Sequence, residues 1–107
     1  MIVMTLALLA AADRPVVVSS LTTKDLVEYC RGNDADPTPN FCTGYILGEF
    51  DTLSRSRQIC PSPALASNIE VISVARKYLR KKGKKSDSAP SFVLRDALRG
   101  AFPCKRK

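Results

Sequence analysis

With 107 residues the chain has room for one domain, and a hydrophobic content of 45% excludes wholesale disorder. There is no Trp, and only three Tyr and four Phe, so an interior has to be built mostly from Leu, Ile, Val and Ala. The net charge of +7 is uneven: residues 1–54 hold three basic and seven acidic side chains, a net −4, whereas residues 55–107 hold fourteen and three, a net +11. Such an asymmetry bears on partners and solubility rather than on fold.

The chain opens with an apolar run from Met1 to Ala12 that ends in Ala10-Ala11-Ala12. Its length and its small terminal residues suit the apolar region and cleavage site of a signal peptide. It is too short for a membrane span, which takes roughly 20 apolar residues. Residues 1–12 are therefore expected to be a leader and residues 13–107 one mature domain, exported to the periplasm or beyond. The four cysteines, Cys30, Cys42, Cys60 and Cys104, fit an oxidising compartment. Zinc is the weaker reading, because the chain has no His and no C-x-x-C pair.

Four helices follow in chain order. Thr22 has the form of an N-cap, with Asp25 at the third helical position and Leu21 placed to staple against Leu26. This first helix is expected to run to about Arg31 and stop at Gly32, with Leu26, Tyr29 and Cys30 on its buried face. The Pro- and Asp-rich stretch from Gly32 to Asn40 reads as a loop. Asn40 can cap a second helix over 41–56 with the stripe Cys42, Ile46, Phe50 and Leu53. Gly44 and Gly48, one turn apart, suggest a close backbone neighbour, since glycine otherwise costs a helix roughly 1 kcal/mol. After the break at Pro61 and Pro63, Ser67 and Glu70 form a capping box for a third helix ending at Lys81 or Lys82. Its stripe is Ile69, Ile72, Ala75 and Leu79, widened by Val71, Val74 and Tyr78. Residues 83–88 read as a turn. Ser88 is the expected cap of a fourth helix carrying Leu94, Ala97, Leu98 and Ala101 and ended by Pro103. Only Val16 to Val18 hints at strand alternation.

Four cysteines allow three pairings. If the helices are antiparallel neighbours, Cys42 and Cys60 flank a helix about 20 Å long, beyond the roughly 7 Å that a disulfide allows between Cα atoms. Cys30 and Cys42 share one end of the first hairpin, and Cys60 and Cys104 flank the second. The expected bridges are therefore Cys30–Cys42 and Cys60–Cys104, and the expected class is all-α: a small four-helix domain stapled by two disulfides.

No catalytic set emerges. Without His, the common base for Ser or Cys nucleophiles is missing. Glu49 and Asp51 diverge on a helix. Asp34 and Asp36 lack the spacing of a calcium loop, and no phosphate-binding glycine loop occurs. The chain is thus expected to be no enzyme and to carry no cofactor or metal. What stands out is Arg76 to Lys85, with seven positive charges and no negative one. The helix macrodipole accounts for Arg80 to Lys82 but not for Lys84 and Lys85. The exposed segment Arg80, Lys81, Lys82, Lys84, Lys85, Ser86 and Asp87 is the expected partner-contact site; export argues against nucleic acid.

Phe41-Cys42-Thr43-Gly44-Tyr45-Ile46-Leu47-Gly48, followed by Asp51 and Leu53, resembles a segment of the Rap/Tai family of immunity proteins. Ile59-Cys60 with its following prolines, Lys77-Tyr78-Leu79, and Ala97-Leu98 leading into Ala101-Phe102-Pro103-Cys104 are similar to further parts of that family. The likeness covers residues 20 to 104. One departure is Lys81-Lys82-Gly83-Lys84-Lys85, where family members often carry His-Pro. The resemblance implies a helical, disulfide-bonded, non-catalytic periplasmic protein that binds and blocks a peptidoglycan amidase delivered by type VI secretion. The partner implied is a cognate amidase-type effector; apart from the resemblance, a homodimer is a further expected assembly. The rival reading is a periplasmic binding or structural module whose basic patch touches anionic wall polymer or membrane.

Overall fold

The computed structural model describes residues 15–105, so the expected leader, residues 1–12, lies outside them. Four α-helices follow one another: α1 (Thr23–Tyr29), α2 (Phe41–Arg55), α3 (Asn68–Lys82) and α4 (Pro90–Ala101), with a 3-10 turn at Gly83–Lys85 between the last two. There is no strand among the described residues, and Val16 to Val18 are exposed and irregular.

Three of the four helix starts follow the local chemistry expected of them. The Asp25 amide donates to Thr22 Oγ1 (3.0 Å), the Thr43 amide to Asn40 Oδ1 (3.0 Å), and the Glu70 amide to Ser67 Oγ (3.2 Å). Each bond satisfies an otherwise orphaned first-turn donor. The fourth start differs. Ala89, not Ser88, is the N-cap of α4, and it makes no side-chain cap bond. Pro90 forces the residue before it into an extended conformation, so the helix cannot begin earlier. Ser88 instead offers its carbonyl to the Thr23 hydroxyl (2.6 Å), tying the start of α4 to α1.

Helix α3 lies at the centre, packed on α4 and α2, while α1 rests on the 3-10 turn. Leu26, Ile46, Ile72, Leu79, Leu94 and Leu98 are all at most 1% exposed, and burying each contributes about 1.5–3 kcal/mol. Two faces are rotated from expectation. On α1 the inward positions are Thr23, Leu26, Val27 and Cys30, a clean i, i+3, i+4, i+7 set, which leaves Tyr29 outside at 55% exposed. On α3, Val71 is buried and Ile69 is 48% exposed, because the inward set is Val71, Ile72, Ala75, Arg76 and Leu79. Helix α1 is also shorter than expected, ending at Tyr29; Gly32 then takes a left-handed φ of +117° that turns the chain into the loop.

The glycine expectation is overturned as well. Gly44 and Gly48 are exposed, with open space where a Cβ would stand. The close approach occurs at Gly83, where a Cβ would sit 2.6 Å from Val27 Cγ2. Both expected disulfides are present, Cys30–Cys42 with Cα atoms 5.1 Å apart and Cys60–Cys104 at 4.7 Å. Beside the second, the Cys60 amide donates to the Phe102 carbonyl (2.9 Å), and the Phe102 ring meets Phe50 edge-on with centroids 5.7 Å apart.

Candidate functional site

The basic segment splits into two populations. Arg76 and Arg80, one turn apart on α3, face the loop between α1 and α2 and hold it. Arg76 is 3% exposed; its Nη1 donates to the Asn33 carbonyl, and its Nε lies 3.5 Å from Cys42 Sγ. Arg80 grips the Asp34 carboxylate with both terminal nitrogens, Nη1 to Oδ1 and Nη2 to Oδ2, a bidentate geometry that a lysine could not make. The Arg80 guanidinium holds the Asp34 carboxyl below its ordinary range. Asp36 serves the same loop, accepting from the Thr38 amide and hydroxyl, and those bonds lower its pKa too. The two loop carboxylates weighed as calcium ligands are thus engaged within the protein.

The lysines form the other population. Lys77, Lys81, Lys82, Lys84 and Lys85 are exposed, and none has a carboxylate within ion-pair distance among the described residues. Lys82 Nζ stands 5.8 Å from the Tyr78 ring centroid, where a cation gains from the ring's electron-rich face. Between Lys77, Lys81 and Lys82 runs a groove of about 300 Å³ along the outer side of α3, with Val74 and Tyr78 in its lining. The 3-10 turn then carries Lys84 and Lys85 outward from Gly83, which is pinned against Val27. Ser86 is half-buried; its amide donates to the Gly83 carbonyl (3.1 Å) and its Oγ accepts from the Ser88 amide (3.1 Å), so it shapes the turn. Asp87 is exposed. Of the segment expected to meet a partner, Lys81, Lys82, Lys84, Lys85 and Asp87 stand free, whereas Arg80 and Ser86 have structural duties.

A second exposed surface went unread in the sequence. Tyr29, Phe41 and Tyr45 stack around the Cys30–Cys42 bridge, with ring centroids 5.1 and 5.8 Å apart, and Tyr29 and Phe41 are 55% and 53% exposed. The signal was present in the spacing of Phe41 and Tyr45, which puts both on one side of α2 away from Cys42 and Ile46. Glu49 sits one turn further along, half-buried, and burial pushes its carboxyl above the ordinary range against a smaller opposing pull from Arg95.

No curated protein and no solved structure matches the chain. The family of Rap1a immunity proteins does, over residues 22–104, a stretch that begins at the cap of α1 and ends at the last cysteine. That match covers more than three quarters of the sequence and includes all four helices, both bridges and the lysine turn, so the chain belongs to the Rap1a immunity protein family.

Proposed function

We propose that this protein is exported to the periplasm, where it binds a peptidoglycan amidase delivered by type VI secretion and blocks its cleft, without catalysing a reaction itself. The observation that carries the reading is the family match over residues 22–104, which supports an immunity role and hence a cognate toxin as partner. The contact surface is assigned to the lysine turn. Five exposed lysines, unpaired among the described residues, crowd one end of α3 and the 3-10 turn, and such a field acts on the association rate with an acidic partner rather than on dissociation. No carboxylate of the described residues lies within ion-pair distance of these lysines, and the nearby Asp34 is already held by Arg80.

The test is capture from periplasmic extract under non-reducing conditions, followed by a peptidoglycan-cleavage assay on the captured protein with and without the immunity chain. Inhibition of a wall amidase at one-to-one stoichiometry is the expected result. Charge reversal at Lys81, Lys82, Lys84 and Lys85 together should slow association at low salt by roughly tenfold or more while leaving dissociation little changed. Unaltered association kinetics would remove the turn from the interface. Capture of wall polymer alone, with no amidase, would sink the immunity reading for this chain.

A further inference from the structure

One cavity lies apart from the lysine groove. It is a pocket of about 200 Å³ where α1, α3 and the 3-10 turn meet. Val27 and Leu79 give it apolar lining, and Arg31, Arg76, Arg80 and Lys84 supply four cationic side chains; no carboxylate lines it, but Glu28 pairs with Arg31 (3.0 Å) and Asp34 with Arg80 from outside, which leaves Arg76 and Lys84 without an ion pair among the described residues. Arg76 is the decisive group. A guanidinium 3% exposed normally has a carboxylate beside it, because a buried charge without a counter-charge is costly. Here its hydrogen bonds go to a backbone carbonyl and a disulfide sulfur through Nη1 and Nε; among the described residues Nη2 has no partner and no carboxylate comes within ion-pair distance. Asp34 and Asp36, the acids of the adjoining loop, feel Arg76 only at longer range and are engaged with Arg80 and Thr38. Gly32 also lines the pocket, its Cβ position 3.9 Å from Arg76 Nη1, an ordinary contact distance.

We infer that this pocket binds a carboxylate on a short aliphatic stem. The carboxylate completes the ion pair that Arg76 lacks, with Arg31 and Lys84 at the rim, and the stem covers Val27 and Leu79. The volume is below the roughly 300–1,000 Å³ of drug-sized sites, so it takes one side chain or one short acid. Phosphate has the charge but no stem to desolvate the apolar wall. The carboxylate can come from a Glu or Asp side chain of a partner protein or from a free small acid, and the chemistry at Arg76 is the same for both. The inference stands whether or not the partner is an amidase.

The test is an NMR titration of the oxidised, full-length chain, following the backbone amides of Gly32 and Arg31, the Arg76 Nε–H and the Leu79 methyls. The probes are propionate, its neutral analogue propionamide, inorganic phosphate, and N-acetyl-glutamate N-methylamide, whose only carboxylate is on a side chain. Saturable shifts at these groups with propionate and the glutamate probe, absent with propionamide, are expected. Tighter binding of the glutamate probe assigns the pocket to a partner's acidic side chain, and tighter binding of propionate to a free acid. Arg31→Gln and Lys84→Gln, both at exposed positions, should each weaken binding roughly two- to fivefold, whereas Lys77→Gln should not. Arg76→Lys should retain weakened binding where Arg76→Gln loses it. Equal response to propionamide, equal binding of phosphate, no saturation, or no effect of the rim variants would each overturn the assignment.

Discussion

Two glycine classes and one hydroxyl show how single residues set the packing. At Gly83 a methyl would enter the space of Val27 Cγ2, 2.6 Å away, and Val27 is a stiff, β-branched side chain with no free end to swing aside. Gly83→Ala should therefore cost about 1–3 kcal/mol, the usual range for overpacking a core, read as a lower urea midpoint. Gly44 and Gly48 should behave oppositely. Both lie in α2 with nothing within 4 Å of a Cβ, so alanine at either should add about 0.5–1 kcal/mol by lowering the entropy of the unfolded chain. A loss of stability at Gly44 or Gly48 would mean that the backbone there packs more closely than it does in this fold. Thr23, 2% exposed, spends its hydroxyl on the Ser88 carbonyl. Thr23→Val keeps the shape but removes that bond, at a cost of about 0.5–1.5 kcal/mol.

At the scale of the elements, the α1–α2 loop is the least conventional part, because it is fixed by polar groups reaching from α3 rather than by apolar cover. Asp34 and Asp36 both have folded pKa values below 3.8. Below 3.8 the unfolded chain binds more protons than the folded one, so stability from these groups is present above that pH and is lost as pH falls through their folded values. Glu49 has the opposite sign: burial raises it above 4.5, the folded state holds the proton longer, and stability falls as pH rises through the raised value. Urea midpoints followed through the acid range should accordingly show a shallower acid loss for Asp34→Asn, and a gain near neutral pH for Glu49→Gln. An unchanged acid limb in Asp34→Asn would show that the Arg80 pair does not hold the loop. The helices themselves were legible from caps and periodicity, and the bridges followed from where the helix ends fell. Arg76 was not legible: in the sequence it is the first of seven cations, and only the arrival of Asn33 and Cys42 over its face distinguishes it from Lys77 beside it. Ile69 and Tyr29 were misread for a related reason, since a stripe two residues wide fits an amphipathic pattern at more than one rotation, and tertiary packing selects among them.

For the whole molecule, the two bridges have different exposure and close loops of different length. Cys30 and Cys42 are 6% and 1% exposed and separated by 12 residues, while Cys60 and Cys104 are exposed and separated by 44. In the chain-entropy picture the shorter loop contributes about 3 kcal/mol and the longer about 4 kcal/mol. Domains of this size have only about 5–15 kcal/mol in all, so the fully reduced chain stands close to unfolding. This gives the proposed export a physical basis, because the fold depends on a compartment in which disulfides persist. Reduction should proceed in order of access. Graded treatment with a thiol reductant, quenched by alkylation and mapped by mass spectrometry, should label Cys60 and Cys104 before Cys30 and Cys42. The singly opened species should keep the α1–α2 hairpin and its Arg76 and Arg80 contacts while the end of α4 loosens from Cys60. Amide exchange should then rise first at Phe102 and Cys60, whose backbone bond lies beside the exposed bridge. Simultaneous labelling of all four cysteines would show instead that the domain opens as one unit, with the lysine turn and the α1–α2 loop lost together.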